Sequence, residues 1–437
     1  MTDTKPEYNA GNWRKFTDFA SYAINLMPFI IYLSLIIQQQ DLASGILPFA
    51  LYYAFRRSGL LLLRDFQKNY SLLGWIGLVS ALIGYGLGLL GYFGSWYYDL
   101  AAVGIGLGSA LFPVAVNQNK RLAENKSSIV GQVISLLILL ALAAGIYWLK
   151  RAWLGYAVMF VIVIVAILGY SPVQTASSKI NWHWYNYVLG ILLFCSMGLV
   201  RWGRSNSLNQ PIEWGMLFLG SFFVIMLILL FLDRQRPKTP GLRLAAMVAG
   251  AGGQYWTLYS TIYVGANYGL KKYYLVLVAY LLAMLFGGAV LSWLEKVSGF
   301  TTVTICMLSM ILGLAATFWF PIYVLGIFLL RAGAAKLRQQ AVMVYEAGGG
   351  DKAISYLVNY NYAAASSLFT QFVFWLSLLV LAKPAGLNLI LKSFATNTFY
   401  PDMAEFINAS HLVLGGYLFV VFLVCWIKLA KENEKNI

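Results

Sequence analysis

The feature that most limits what this chain can become is a series of apolar stretches, each about 20 residues long, that recurs from residue 17 to residue 430 with short polar breaks. That length lets an α-helix cross a hydrocarbon layer of about 30 Å. Inside such a layer each backbone N–H and C=O needs a partner within the protein, and a helix supplies all of them from its own segment. The stretches lie near 17–38, 43–63, 71–93, 97–117, 128–149, 152–171, 184–203, 213–232, 242–266, 273–294, 300–317, 321–344, 354–382 and 409–430. They predict an all-α polytopic membrane protein with about fourteen transmembrane helices. A helix running unbroken from 300 to 344 would exceed one crossing, so Trp319-Phe320-Pro321 is read as a hairpin at a residue that disfavours helix continuation. Composition agrees, with 60% hydrophobic and 11% charged residues, against about 25% charged in soluble domains.

The net charge is +15, from 31 Lys and Arg against 16 Asp and Glu. In a soluble protein such an excess would suggest nucleic acid; here it is read as orientation. With the amino terminus in the cytoplasm, 18 loop Lys and Arg fall on the cytoplasmic side and 8 on the other. Both termini are therefore expected in the cytoplasm, with membrane lipid as a partner and no nucleic acid. A bacterial inner membrane suits the short termini and basic loops. The polar start, MTDTKPEYNAGNWRK, runs into an apolar segment too long for a signal core, so the first helix is expected to direct insertion. Cys195, Cys306 and Cys425 fall in three different apolar segments and are read as packing residues. His183 and His411 sit near segment ends without metal-ligand spacing, so neither a metal nor another cofactor is expected.

Charges inside the predicted spans need a different account. The stretch 43–65, ASGILPFALYYAFRRSGLLLLRD, carries Arg56 and Arg57. A Lys or Arg at the centre of a span costs about 2.5–3.5 kcal/mol on insertion scales, so it faces water or a partner rather than lipid. Neighbouring residues point about 100° apart on a helix, so one of the two is free to face lipid and snorkel while the other faces inward. Arg331 lies near the middle of span twelve, with Lys336 and Arg338 deeper toward the cytoplasm, where a gating or anchoring role is expected. Positive groups without matching acids imply an anionic solute, because guanidinium groups bind carboxylate and phosphate through paired hydrogen bonds.

Span nine adds Gln254, Tyr255, Tyr259, Tyr263 and Asn267, with the three tyrosines four residues apart on one helix face. That stripe reads either as a wall of a solute path or as helix packing. Span thirteen adds Asn359 among several amides and hydroxyls. The carboxylates that could couple movement to a proton or another ion are Asp18, Asp65, Glu295 and Glu346.

Two polar joints, 171–183 (SPVQTASSKINWH) and 233–240 (DRQRPKTP), divide the spans into six, two and six. The expected parts are a cytoplasmic segment 1–16, a six-helix bundle 17–171, a linker with two extra helices 172–240, a second six-helix bundle 241–430 and a tail 431–437. An internal echo supports the halves: GIGLGSALFPVAVNQNKRLAENK from Gly104 and GIFLLRAGAAKLRQQAVMVYEAG from Gly326 each begin with small residues and turn basic.

With this layout the chain resembles the major facilitator superfamily in its fourteen-span form. The superfamily's loop signature between spans two and three is reduced here to Asp65 with Arg64 and Lys68, and in the second half to Glu295 and Lys296. The glycine-proline motif of drug and proton antiporters is missing from span five, and the glutamate-rich signature of peptide symporters from span one. The resemblance implies two bundles flanking one central cavity, with Arg56 and Arg57 on one side and Arg331 on the other. The function expected is a secondary transporter, not an enzyme, moving an anionic organic or amphiphilic solute by alternating access. A flippase for a phosphate-bearing lipid or lipid-linked saccharide is the alternative on the same fold. A lipid-modifying transferase is disfavoured because no polar loop clusters His, Asp or Glu.

Overall fold

A computed structural model describes residues 12–39, 47–66, 69–122, 129–149, 151–172, 182–205, 240–254, 259–350, 352–396 and 401–435, with scattered positions between 214 and 228. All regular structure among the described residues is helical. In chain order the helices are α1 (Asn12–Gln39), α2 (Leu47–Leu62), α3 (Tyr70–Leu90), α4 (Trp96–Leu122), α5 (Ile129–Leu149), α6 (Ala152–Gly169) and α7 (Trp184–Ser205). They continue as α8 (Pro240–Gln254), α9 (Ser260–Tyr268), α10 (Leu270–Ser298), α11 (Thr302–Ala316), α12 (Phe320–Ala347), α13 (Lys352–Thr396) and α14 (Pro401–Lys435). Each predicted stretch falls on one of these helices except two: 242–266 is shared by α8 and α9, and 213–232 lies mostly outside the described residues. Among the described residues eight helices are long and apolar enough to cross a membrane, and three shorter apolar helices accompany them. The chain is an all-helical, multi-pass membrane protein.

Local signals in the sequence account for the helix ends. Asn69 caps α3 by accepting from the Leu72 N–H at 3.1 Å, and Thr301 caps α11 by accepting from Thr304 at 3.3 Å. Gly299, at φ 68°, ends α10 in the left-handed conformation that glycine adopts without strain. Pro321 sits in the first turn of α12, after a turn through Thr317, Phe318 and Trp319, so the chain reverses where the hairpin was expected. One expectation is corrected. The thirteenth helix does not stop at 382: α13 carries on to Thr396 through Pro384, and Ile390 is fully buried. Burial at Leu389 and Ile390 offsets the single missing backbone donor.

The chain divides into two compact units, Met1–Leu219 and Gly220–Ile437. In the first, α4 packs most extensively against α3 and α2, α6 packs on α1 and α3, and α5 on α1. In the second, α12 packs against α11 and α10, α14 on α11 and α13, and α13 on α8. Taking α8 and α9 together as the first helix of the second unit, the fourth helix grips the second and third in both. The third also meets the sixth, and the first meets the fifth.

The glycine echo has its explanation in these contacts. A Cβ on Gly84 of α3 would lie 2.6 Å from the Ile105 nitrogen of α4, and one on Gly104 would lie 2.7 Å from the Ser80 carbonyl oxygen. In the second unit a Cβ on Gly326 of α12 would lie 2.6 Å from the Gly313 oxygen of α11. Helices in lipid gain stability from backbones that approach this closely. Gly104 and Gly326 thus serve the same contact in the two repeats. The outer faces stay apolar, with Leu137, Val161 and Leu168 exposed in the first unit and Phe286, Leu312 and Val420 in the second. Cys306 and Cys425 are buried as expected, but Cys195 is exposed on α7.

Candidate functional site

In the first unit α4 presses on the turn of α2 that carries the two arginines. A Cβ on Gly106 would stand 2.8 Å from the Tyr52 carbonyl oxygen and 3.1 Å from the Arg56 nitrogen. The neighbouring guanidinium groups then have different surroundings. Arg56 donates to the Tyr52 hydroxyl at 2.8 Å and to Asn25 Oδ1 of α1 at 2.5 Å. Arg57 lies over the Tyr53 ring, 5.7 Å from its centroid, and its Nε is buried without a hydrogen-bond acceptor among the described residues. A helical offset of about 100° is enough to separate two adjacent side chains in this way.

Arg56 borders a group of buried phenols. Tyr52 stacks on Tyr32 at 5.2 Å, Tyr32 meets Tyr156 edge-on at 6.3 Å, and Tyr156 stacks on Tyr98 at 5.9 Å. Tyr32, Tyr52, Tyr53, Tyr85 and Tyr156 are all fully buried.

The coupling candidates of this unit are both engaged. Asp18 pairs with Lys120 of α4 at 2.8 Å, the two side chains being 20% and 13% exposed. Asp65 accepts from the His183 backbone N–H at 2.9 Å and meets His183 Nδ1 at 2.5 Å. The Asp65 side chain is only 3% exposed, and it occupies the N-terminus of α7, where a carboxylate complements the helix dipole. Phe66 against Trp182, edge-on at 5.5 Å, closes the same joint.

In the second unit Arg331 of α12 lies over the Tyr280 ring of α10 at 4.9 Å. Its Nε, like that of Arg57, is buried without an acceptor among the described residues. The other basic residues of α12 have partners. Lys336 donates to Glu295 at 2.6 Å and to Ser292 at 2.9 Å, and Thr302 donates to the other oxygen of Glu295. Arg338 Nε donates to Asn359 Oδ1 of α13 at 3.1 Å, and Glu346 accepts from Ser355 at 2.7 Å. Asn359 is buried, so its expected place toward a solute is taken up by this bond.

The tyrosine stripe of span nine divides. Tyr259 and Tyr263 are 2% and 6% exposed and stack on each other at 5.6 Å. Tyr255 lies outside the described residues, as does the side chain of Gln254. The two tyrosines surround His411 of α14, with Tyr263 stacked on its ring at 4.4 Å, Phe318 edge-on at 4.3 Å, and the Tyr259 hydroxyl hydrogen-bonded to Nδ1. Ser260 and Tyr323 share a further hydrogen bond at 2.6 Å. Of the predicted residues, Arg56, Asn359, Lys336 and the four carboxylates are held by partners within their own unit, whereas Arg57 and Arg331 are held, among the described residues, by an aromatic ring.

Sequence reasoning missed Asn25, His183, Tyr323 and His411. For His411 a signal was available: an imidazole inside a segment that starts at 401 rather than 409 is a full turn or more from its end. Asn25 carries no such signal, because its partner lies 31 residues away in sequence.

No family model and no curated protein sequence matches the chain. Solved structures do. A POT family transporter in complex with a thioalcohol-conjugated peptide is similar at a TM-score of 0.60 and 13% identity, covering 98% of both chains. Another POT family transporter, in complex with 5-aminolevulinic acid, gives 0.55 at 12% identity over 98% of both chains. A point mutant of the nucleoside transporter NupG gives 0.52 at 12%, covering 95% of this chain and 98% of that one. At these identities the likeness is one of fold: the chain shares the fold of these transporters.

Proposed function

We propose that this protein is a secondary transporter that moves a carboxylate- or phosphate-bearing organic solute across a cell membrane by alternating access. It does so with fourteen spans and both termini in the cytoplasm. The observation that carries this reading is the sorting of the membrane-embedded cations. Arg57 and Arg331, one in each unit, rest on tyrosine rings with a buried Nε that has no acceptor among the described residues. A guanidinium held by ring stacking keeps its fork of N–H donors available, and a carboxylate or phosphate is the group that fits that fork. The transporter fold supports the reading, and so does the presence of a carboxylic acid, 5-aminolevulinic acid, in one structural neighbour.

The neighbouring cations have a supporting task. Arg56, Lys336 and Arg338 fix helices through Asn25, Glu295 and Asn359.

Purified protein in liposomes should exchange labelled 5-aminolevulinic acid, or a dicarboxylate of similar size, against unlabelled solute inside. Arg57→Ala combined with Arg331→Ala should remove that exchange and leave the unfolding midpoint nearly unchanged, since the contact each residue loses is a ring face rather than a buried hydrogen bond. Full exchange in the double variant would overturn the assignment.

A further inference from the structure

We propose that His411 of α14 is the group that takes up a proton when the solute moves, so that a proton gradient drives transport through an imidazole rather than a carboxylate. The proposal rests on the transporter reading above and adds the coupling ion to it. The four carboxylates expected in that task are each tied inside their own unit: Asp18 to Lys120, Asp65 to His183, Glu295 to Lys336 and Glu346 to Ser355. Asp99 stands in the first turn of α4, where a carboxylate complements the helix dipole, and Glu405 of α14 is exposed. His411 is 3% exposed and lies within Met403–Lys431, a segment long and apolar enough to cross a membrane. An ionisable side chain is expensive to bury at such a place, and its presence marks a function.

Both ring nitrogens are built into the second unit. Nδ1 meets the Tyr259 hydroxyl at the head of α9, and the ring also hydrogen-bonds the Thr317 backbone carbonyl in the turn that ends α11. With Nδ1 accepting from Tyr259, the proton sits on Nε2 and the ring is neutral. A second proton turns Nδ1 into a donor, so the Tyr259 O–H has to swing away and offer a lone pair instead. Proton uptake therefore changes the link between α9 and α14, and a ligand that alters such a link shifts the balance between two conformations.

The surroundings can accept the added charge. Thr317 lies at the C-terminus of α11, where leftover carbonyls and the helix dipole favour a cation. Tyr263 stacks on the imidazole at 4.4 Å and Tyr259 at 5.4 Å, and such ring faces attract cations. Beyond them, α12 brings Tyr323, stacked on Tyr263 at 5.7 Å, and α13 brings Phe374, edge-on to Tyr259 at 4.9 Å. Neither α9 nor α11 contains a charged residue, and α8 carries Arg243 in its first turn. On α12, Arg331 lies over Tyr280, and Lys336, Arg338 and Glu346 bond Glu295, Asn359 and Ser355. The side chains of Lys352, Lys383 and Lys392 on α13 and of Asp402 on α14 lie outside the described residues. A way in is short: Tyr263 hydrogen-bonds Tyr268, which is half-buried beneath Lys272 of α10.

The test uses the full-length protein in liposomes with the membrane potential clamped, an inward proton gradient imposed, and uptake of labelled 5-aminolevulinic acid followed. With one proton per solute, a gradient of about one pH unit supports accumulation of up to about tenfold. His411→Gln should cut that accumulation to plain equilibration while losing far less of the exchange measured without a gradient. His183→Gln is the control and should accumulate solute as the unaltered chain does. Accumulation that survives in His411→Gln, or an unaltered chain that exchanges solute and ignores the gradient, would overturn the site. A second measurement does not depend on transport. The chain has two histidines, so the His183→Gln protein made with isotope-labelled histidine shows one imidazole by nuclear magnetic resonance. That ring should gain a proton between about pH 5 and 8. A ring that stays neutral throughout, with and without the solute, would overturn the site even if His411→Gln fails to fold. A ring that titrates in a protein that exchanges no solute would count against the transporter reading alone.

Discussion

The two units share a helix-packing plan and differ in what they place inside it. In both, the fourth helix is pressed onto the third through glycines, Gly104 on Gly84 in the first unit and Gly326 on Gly313 in the second. The polar interiors then diverge. The first unit sets a half-buried arginine, Arg56, against Tyr52 at the edge of a cluster of buried tyrosines, and its carboxylates Asp18 and Asp65 lie on Lys120 and His183. The second unit buries His411 among Tyr259, Tyr263 and Phe318, and its arginine and lysine side chains on α12 reach α10 and α13. Backbone approach is what makes a lipid-embedded helix pair stable, so the repeat is held there. The interior side chains are under no such constraint and carry what distinguishes the halves.

The largest effect should come from the shared contact. Gly84→Leu and Gly326→Leu both drive a side chain into opposing backbone, where even a Cβ would stand 2.6 Å away. Each should cost more than about 4 kcal/mol, enough to lose the folded protein. Gly145→Leu, on α5, is the control, because nothing lies within 4 Å of its Cβ position. Yield of monodisperse protein after detergent extraction reads all three. If Gly326→Leu folds while Gly84→Leu does not, the two α3–α4-type contacts are not equivalent and the repeat is weaker than the packing indicates.

A middle-sized effect should separate the two interiors. His411→Leu leaves the Tyr259 hydroxyl without its partner in a buried site, for about 1–3 kcal/mol. Adding Tyr259→Phe should recover most of that loss, since removing both partners of a buried bond is nearly neutral. Arg56→Met should behave differently. It removes a donor from both Tyr52 and Asn25, so Tyr52→Phe alone should rescue only part of it. Unfolding midpoints of the four variants and the two doubles are the measurement. Complete rescue in both units would show that the interiors differ in composition but not in connectivity.

Much of this architecture is legible in the sequence because membrane helices are specified locally. A run of about 20 apolar residues, a capping Asn69 or Thr301 and a Pro321 at a reversal each act within one helix. The overrun of α13 past Pro384 escaped for the opposite reason, since distant packing at Ile390 decided it. The site was legible only in part. Arg56, Arg57 and Arg331 stand out as charges in apolar runs, yet which of them is bound and which is available depends on Asn25, Tyr53 and Tyr280, none marked by spacing. The tyrosine stripe was visible as a period of four, but its partner His411 lies 152 residues away from Tyr259.

The smallest effect concerns the ion pairs, one per unit, that tie the fourth helix to a neighbour. Lys336 to Glu295 measures 2.6 Å with the carboxylate side chain 30% exposed, and Lys120 to Asp18 measures 2.8 Å with the carboxylate 20% exposed. Partial exposure lets water and salt screen both, so double-mutant cycles with Lys→Met and carboxylate→amide changes should give coupling of about 0.2–1 kcal/mol in each. The two need not be equal. Glu295 also accepts from Thr302, and Lys336 also donates to Ser292, so the second pair belongs to a network that a single amide keeps partly intact. Glu295→Gln should therefore be milder than Asp18→Asn. Coupling above about 3 kcal/mol at either pair would mark it as sealed from solvent. It would then be a stronger organiser of its unit than the tyrosine cluster beside it, and the contrast between the two interiors would have to be redrawn around that pair.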